Sequence, residues 1–118
     1  MSESAYDLFR EGQKRLRSGL TAQATVPLEK AKKLEPAKAS IREALGIAYF
    51  RLARWRDAER EFRTIVEELS PTDHYAHYAL GRAPEHLGKT TEANGHYKLA
   101  SSMKPSSETY SARILDLE

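Results

Sequence analysis

Hydrophobic residues in the middle of this chain recur at the spacing of one helix face. The longer stripe follows i, i+4, i+7, i+8 and i+11, and it comprises Ile41, Leu45, Ala48, Tyr49 and Leu52. A second stripe at i, i+4 and i+7 comprises Ala58, Phe62 and Ile65. Apolar residues with these spacings predict two successive amphipathic helices, each with one face turned toward a core.

Small residues recur along the whole chain with a period of 34 or 35 residues. They are Gly12, Gly46 and Gly81, then Ala24, Ala58 and Ala93, then Pro36, Pro71 and Pro105. The glycines and the alanines are 34 and 35 residues apart, and the prolines are 35 and 34 apart. A period of this size predicts stacked helical hairpins. We expect three hairpins, over about residues 5–36, 39–71 and 74–105, in an all-α, right-handed α-solenoid.

Each recurring residue has a predicted role in its hairpin. Glycine in mid-helix costs about 1 kcal/mol relative to alanine, so its repetition predicts a close crossing of the two helices. The recurring alanine is expected on the other side of that crossing, and each proline is expected to end a second helix. The larger residues expected to fill the space between the helices are Leu28, Phe62 and Tyr97.

Two kinds of signal mark the ends of helices. A left-handed C-terminal cap is expected between the helices of each hairpin, at Gly19, Ala53 and Gly88. After Pro105, the run Ser106-Ser107-Glu108 is a helix-start signal. It precedes apolar residues at i, i+4 and i+7, namely Tyr110, Ile114 and Leu117. This pattern predicts a seventh helix, over about 107–117, that caps the apolar end of the third hairpin.

The three units together resemble the tetratricopeptide repeat (TPR) over about residues 5–105. The matching positions in the second unit are Leu45-Gly46, Tyr49, Ala58, Phe62, Ile65 and Pro71, the last one residue late. In the third unit they are Leu80-Gly81, Ala93, Tyr97, Ala100 and Pro105, and in the first Gly12, Ala24, Leu28, Ala31 and Pro36. Three such units in tandem make the resemblance specific, and it implies that the first helices line a concave groove for a peptide or a partner helix.

The resemblance also indicates which side chains face that groove. The candidate binding residues are Tyr6, Phe9, Gln13, Glu43, Ile47, Phe50, Arg51, Tyr75, Tyr78 and Arg82. Ile47 and Phe50 lie off the core stripe of their helix, and a helix that is apolar on two faces is either buried on both or meets a partner. In the alternative interpretation, Phe50 and Leu16 pack between neighbouring units and Tyr6 packs at the N-terminus. The groove would then be covered by the C-terminal helix or by a second copy of the chain.

The sequence departs from the family pattern at several positions. Pro27 and Pro84 fall inside predicted helices, where proline removes a backbone hydrogen bond. Gly95 further weakens the second helix of unit three, which we therefore expect to be the least stable unit, bent or frayed near Ala83–Pro84. Glu11 and Arg15 replace apolar residues of the family and are spaced to form an i, i+4 ion pair.

Composition and the absence of known motifs argue against several classes of function. Nineteen Lys and Arg against 17 Asp and Glu give a net charge of +2, too balanced for the basic stripe of a nucleic-acid binder. The chain has no cysteine, and no signal peptide or membrane-span pattern is visible, so we expect a cytoplasmic protein. No phosphate-binding loop or nucleophile elbow is present, so we expect neither an enzyme nor a cofactor.

Two histidines and one family function remain to be considered. His74 and His77 share a helix face, but two ligands make a poor metal site, and Asp73 beside them is expected to cap that helix. The TPR domains that capture chaperone C-termini use Lys, Asn and Arg for this purpose. The matching positions here hold none of these residue types, so we do not expect a chaperone C-terminus as the ligand; they are Phe9, Gln13, Ala44, Tyr75 and Ala79.

We therefore expect a non-catalytic module that binds an apolar or aromatic protein segment. The first alternative is a self-associating domain that forms a homodimer, and the second is a single-stranded RNA reader that uses arginine and aromatic residues.

Overall fold

The computed structural model describes residues 3–115, with side chains described up to Arg113. The first helices of the hairpins are α1 (Ala5–Arg17), α3 (Ala39–Arg51) and α5 (His74–His86), each of 13 residues. The second helices are α2 (Thr21–Leu34), α4 (Trp55–Thr64) and α6 (Thr90–Met103). A π-helical turn, Ile65–Leu69, extends α4, and α7 (Glu108–Leu115) closes the described part of the chain.

Each helix packs against its neighbours in sequence, and the molecule is elongated, with extents of 53 × 24 × 22 Å. One core runs through the hairpins and includes the fully buried Leu28, Leu45 and Leu80. An all-α solenoid of three hairpins plus a capping helix is therefore confirmed. The side chain of Ile114 and the whole of Leu117, which complete the predicted stripe of the capping helix, lie outside the described residues.

The helices of each hairpin are joined through one residue in the left-handed region. The φ angles are +79° at Gly19, +59° at Ala53 and +80° at Gly88. The prediction of left-handed caps is confirmed at all three positions. Only Ala53 carries a side chain there, and a side chain disfavours this conformation.

The mid-helix glycines face the large side chain of the opposite helix. A Cβ atom at Gly46 would lie 2.6 Å from Cε2 and Cζ of Phe62, and one at Gly12 would overlap Leu28. At Gly81 it would lie 2.6 Å from Cε1 of Tyr97 and 3.0 Å from the carbonyl oxygen of Ala93. The close crossing is confirmed, but the neighbour met first is the large residue and not the small alanine.

The π-helical turn accounts for the irregular period. From the first unit to the second, the glycines and the alanines are 34 residues apart, but the prolines are 35 apart. The second unit therefore contains one extra residue, and it lies between Ala58 and Pro71. There α4 and the π turn together span 15 residues, against 14 in α2 and in α6. The N–H of Ser70 bonds the carbonyl of Ile65 at 2.6 Å, an i to i+5 bond that admits one more residue per turn.

Pro27 is buried inside α2, and its missing hydrogen bond is replaced from another helix. The carbonyl that an N–H at position 27 would bond belongs to Gln23, four residues earlier. The guanidinium of Arg15 donates to that carbonyl at 3.0 Å, while its Nε is 3.0 Å from a carboxylate oxygen of Glu11. The predicted Glu11–Arg15 pair is thus confirmed, and it also connects α1 to α2.

Helix α5 continues through Pro84 to His86, so the expected fraying at Ala83–Pro84 is not seen. Pro84 is fully buried, and its carbonyl accepts from the N–H of Leu87 at 3.0 Å and that of Lys89 at 2.8 Å. These bonds complete the last turn after the proline. That the third hairpin is the least stable stays a prediction.

Polar contacts join successive units and fix the capping helix. Glu61 is buried, and its carboxylate lies 2.8 Å from Nζ of Lys32 and 2.9 Å from the guanidinium of Arg42. These contacts link α2, α3 and α4. At the other end the hydroxyl of Ser107 accepts from the N–H of Tyr110 at 3.4 Å, as the helix-start signal predicts.

Candidate functional site

The face formed by the first helices contains two adjoining cavities. The aromatic cavity, of about 290 Å³, is lined by Ile47, Phe50, Arg51, Phe62, Tyr75, Tyr78, Ala79 and Arg82. The N-terminal cavity, of about 280 Å³, is lined by Phe9, Gln13, Leu16, Arg17, Ser40, Glu43, Ala44, Ile47 and Arg51. Ile47 and Arg51 line both, so the two cavities form one continuous groove across α1, α3 and α5.

The structure places all but one of the predicted groove residues in these two cavities. The exception is Tyr6, which is 65% exposed and lines an adjoining depression that shares Phe9 and Ser40 with the N-terminal cavity. The groove also includes Phe62, which the sequence assigned to the interior of its hairpin. Phe62 reaches the groove because its ring occupies the space that a side chain at Gly46 would fill.

Aromatic rings form the floor and one wall of the aromatic cavity. Tyr75 packs edge-on against Phe62, with 6.3 Å between ring centroids, and against Tyr78, at 6.4 Å. Tyr78 packs 4.9 Å from Tyr110 of the capping helix. The capping helix therefore contacts one wall of the cavity, and the space beside Tyr75 remains open.

Arg82 lies over the ring of Phe50 at the other side of the cavity. The distance from its guanidinium carbon to the ring centroid is 4.5 Å, and its buried Nε has no hydrogen-bond partner among the described residues. Phe50 also packs edge-on against Trp55 at 4.9 Å, and Trp55 stacks on His86 at 4.1 Å. Phe50 thus packs between units, as the alternative interpretation expected, and lines the cavity as well.

Glu43 provides the acidic group of the groove. Burial raises the pKa of its carboxyl, and the nearby Asp73 raises it further. Within residues 3–115, Glu43 forms no ion pair or hydrogen bond. Burial also raises the pKa of Tyr75, and the charge of Glu43 acts in the same direction. The groove therefore has a partly buried carboxyl facing α5 and guanidinium groups of Arg51 and Arg82 farther along.

Outside the groove, the polar side chains on α5 form structural contacts. Asp73 caps α5, since its Oδ1 accepts from the N–H of Ala76 at 3.0 Å, as predicted. His74 Nδ1 lies 2.9 Å from the hydroxyl of Tyr110 and His77 Nε2 lies 2.8 Å from the carbonyl of Pro71. Between residues 3 and 115, no three His, Asp or Glu side chains cluster closely enough to hold a metal ion. No helix in this region has the length and apolar character needed to cross a bilayer.

Comparisons with known proteins agree with this architecture. No protein-family model matches the chain. Superkiller complex protein 3 of the mouse, Mus musculus, is 30% identical over 96 residues, which are 81% of this chain and 6% of that protein. This chain therefore spans only a small part of that relative.

Solved structures match over nearly the whole chain. The first TPR domain of Spaghetti (RPAP3), bound to the HSP90 peptide SRMEEVD, has a TM-score of 0.91 and 23% identity, with 99% of this chain and 92% of that chain covered. The Arabidopsis OM64 TPR domain has a TM-score of 0.92 and 19% identity, with coverages of 97% and 93%. The chain has the fold of a TPR domain, and the resemblance predicted from the repeats is confirmed at the level of fold.

Proposed function

We propose that this chain is a non-catalytic protein-interaction module that binds an apolar or aromatic peptide or helix in the groove of its first helices. The observation that carries the proposal is the continuous groove, in which the aromatic and N-terminal cavities share Ile47 and Arg51. Ligand sites are typically concave and mostly apolar, with a few polar groups that fix orientation.

Aromatic and aliphatic anchors supply the binding energy in this proposal. Ile47 and Phe50 are partly buried on α3, and Tyr75 faces them from α5. Burial of an apolar side chain against such a surface stabilises a complex by roughly 1.5–3 kcal/mol. Because the helices are already fixed, little of this free energy is lost in ordering the groove.

Polar groups would set the orientation of the bound segment. The guanidinium of Arg82, which lines the aromatic cavity, can donate to a carbonyl or carboxylate oxygen of the ligand. Glu43 at the other cavity can accept from a backbone N–H or a basic side chain. The two groups lie on α5 and α3, so a segment that runs across the helices meets both.

A chaperone C-terminus is not the ligand that these residues favour. The Spaghetti domain binds the acidic peptide SRMEEVD. The positions at which such domains carry Lys, Asn or Arg hold Phe9, Gln13, Ala44, Tyr75 and Ala79 in this chain. We therefore propose that the groove selects segments by apolar side chains.

Selection from a random peptide library tests the proposal. We expect enrichment of sequences rich in aromatic and aliphatic residues, with affinities that depend little on salt. Ile47→Glu with Tyr78→Glu should abolish binding. The matched control is Val26→Glu with Leu99→Glu, two exposed positions on α2 and α6 outside both cavities, and it should bind like the wild type.

Folding of each variant is checked by circular dichroism. Equal enrichment by the wild type and by a folded groove variant would refute the groove as the binding site. A concentration-dependent mass in light scattering would indicate self-association instead. Steep loss of binding to an RNA oligonucleotide with added salt would indicate a nucleic-acid reader.

A further inference from the structure

One pair of positions at the centre of each hairpin changes its chemistry from unit to unit. The positions lie four residues before the mid-helix glycine and three residues after the recurring alanine. They hold Leu8 with Pro27, then Arg42 with Glu61, then His77 with His96. In the second unit the pair carries opposite charges, with a carboxylate oxygen 2.9 Å from a guanidinium nitrogen. In the third unit both residues are bases.

The two imidazoles of the third hairpin pack against each other, with His77 buried and His96 half-buried. Their ring centroids lie 5.9 Å apart with 28° between the planes, and His77 is 7% exposed. The Nδ1 atoms of both rings are buried and have no hydrogen-bond partner among the described residues. Nε2 of His77 lies 2.8 Å from the carbonyl of Pro71, and because a carbonyl only accepts, this nitrogen carries the proton. A second proton on His77 would therefore enter at the buried, unpartnered Nδ1.

The charged groups around the pair leave no carboxylate dedicated to it. Glu92 of α6 is 4.0 Å from Nε2 of His96 but 2.6 Å from the guanidinium of Arg63 on α4, which holds it. Glu59 of α4 faces the same region and lies 3.7 Å from Nζ of Lys89 in the turn between α5 and α6. On α5 itself the acidic groups are the N-cap Asp73, one turn before His77, and Glu85, which accepts from the hydroxyl of Tyr97 and lies 3.4 Å from the guanidinium of Arg113. A pair of imidazolium ions here would thus repel each other without full compensation.

We propose that the His77–His96 pair makes the third hairpin sensitive to pH, so that proton uptake at mildly acidic pH loosens α5 from α6. Burial lowers the pKa of His96, and positive charge at His77 and Arg63 acts in the same direction, against Glu92 and Glu59. The folded state then binds fewer protons than the unfolded state. Stability is present above the ordinary histidine pKa of about 6.5 and is lost as the pH falls below it.

The consequence extends to the groove, and this step rests on the proposed function. Helix α5 carries Tyr75 and Tyr78, which line the aromatic cavity, one turn or less from His77. Loosening α5 from α6 displaces these rings and weakens the cavity. A bound segment is therefore released in acid while the first two hairpins stay folded.

Two measurements on the whole chain test the inference. The first is an NMR titration of the histidine rings in the wild type. We expect His96 to take up its proton below the ordinary histidine pKa of about 6.5. Protonation of His96 at or above that ordinary value would overturn the proposal, and this measurement needs no variant.

The second measurement is hydrogen exchange near pH 7.5 and near pH 5.5, corrected for intrinsic rates. In the wild type, protection of α5 and α6 should fall about tenfold more than that of α3 and α4. The double variant His77→Arg with His96→Glu reproduces the residue types of the second unit, and it should remove this difference in protection between the two hairpins. If the double variant does not fold, the single variant His96→Gln should have the same effect. His86→Gln is the matched control and should keep it. An equal loss of protection in both hairpins of the wild type would overturn the proposal, whether or not the groove binds a peptide.

Discussion

Replacing Gly46 by alanine tests whether the mid-helix glycines exist because of their neighbours. The change brings a favourable contribution of about 1 kcal/mol, because alanine loses less backbone freedom in a helix. Against it stands the new Cβ atom, 2.6 Å from Cε2 and Cζ of Phe62 and 3.0 Å from Cε1. The ring must retreat by about 1 Å to restore an ordinary carbon–carbon contact.

Phe62 has little room for that movement, because it is 1% exposed and packs within the core. Overpacking of a core by one carbon typically costs about 1–3 kcal/mol before the backbone relaxes. A side chain this enclosed belongs at the upper end of that range. The net result expected for Gly46→Ala is a loss of about 2 kcal/mol in the free energy of unfolding.

Gly95 provides the matched control within the same molecule. It lies inside α6, is exposed, and a Cβ atom there would meet nothing within 4 Å. Gly95→Ala should therefore stabilise the protein by the full helix-propensity gain of about 1 kcal/mol. The same chemical change is thus expected to have opposite signs at the two sites, about 3 kcal/mol apart.

Urea unfolding followed by circular dichroism measures both variants, with the midpoint compared at a constant denaturant slope. The reasoning is refuted if Gly46→Ala is as stable as the wild type, because the helix crossing would then tolerate a side chain. It is also refuted if Gly95→Ala destabilises, since no contact in the structure opposes that methyl group.

The remaining predictions concern other features of the fold. Ala53→Gly should raise the free energy of unfolding by about 0.5–1 kcal/mol in urea titrations, because it removes a left-handed side chain, and Gly19→Ala should lower it. Glu61→Gln should destabilise by about 3 kcal/mol in the same assay, since it leaves Arg42 without its buried carboxylate. Deleting Glu67 from the π-helical turn should change thermal stability by less than about 1 kcal/mol. Amide hydrogen exchange should be fastest in the third hairpin, and protection there equal to the second would contradict this ranking.

The repeat period and the helix stripes were enough to predict the hairpins and the left-handed caps, because each depends on local spacing and on one small residue. The consequence of Pro27 was not predictable in the same way. Its missing hydrogen bond is replaced by Arg15, which belongs to another helix, and one-dimensional spacing does not encode that contact.

In the groove too, features that depend on one helix were predictable from the sequence, whereas contacts between helices were not. Which residues of the first helices share a face follows from helical geometry. Tyr6 lies in the first turn of α1, and the depression that it lines adjoins the N-terminal cavity through Phe9 and Ser40. Phe62 was missed as a groove residue because its ring fills the space that a side chain at Gly46 would occupy, and this contact between two helices is not encoded in the spacing.

The wide turn at Ile65–Leu69 determines how the two halves of the groove are aligned. One more residue in a regular α-helix would rotate everything that follows by about 100° and advance it by about 1.5 Å. Tyr75 and Tyr78 would then point away from Ile47. Because the surplus residue is held before Ser70, the chain leaves the second hairpin in the direction that it would have taken without it. The third hairpin keeps its phase, and the groove continues across a unit boundary where the repeat itself loses its regular length.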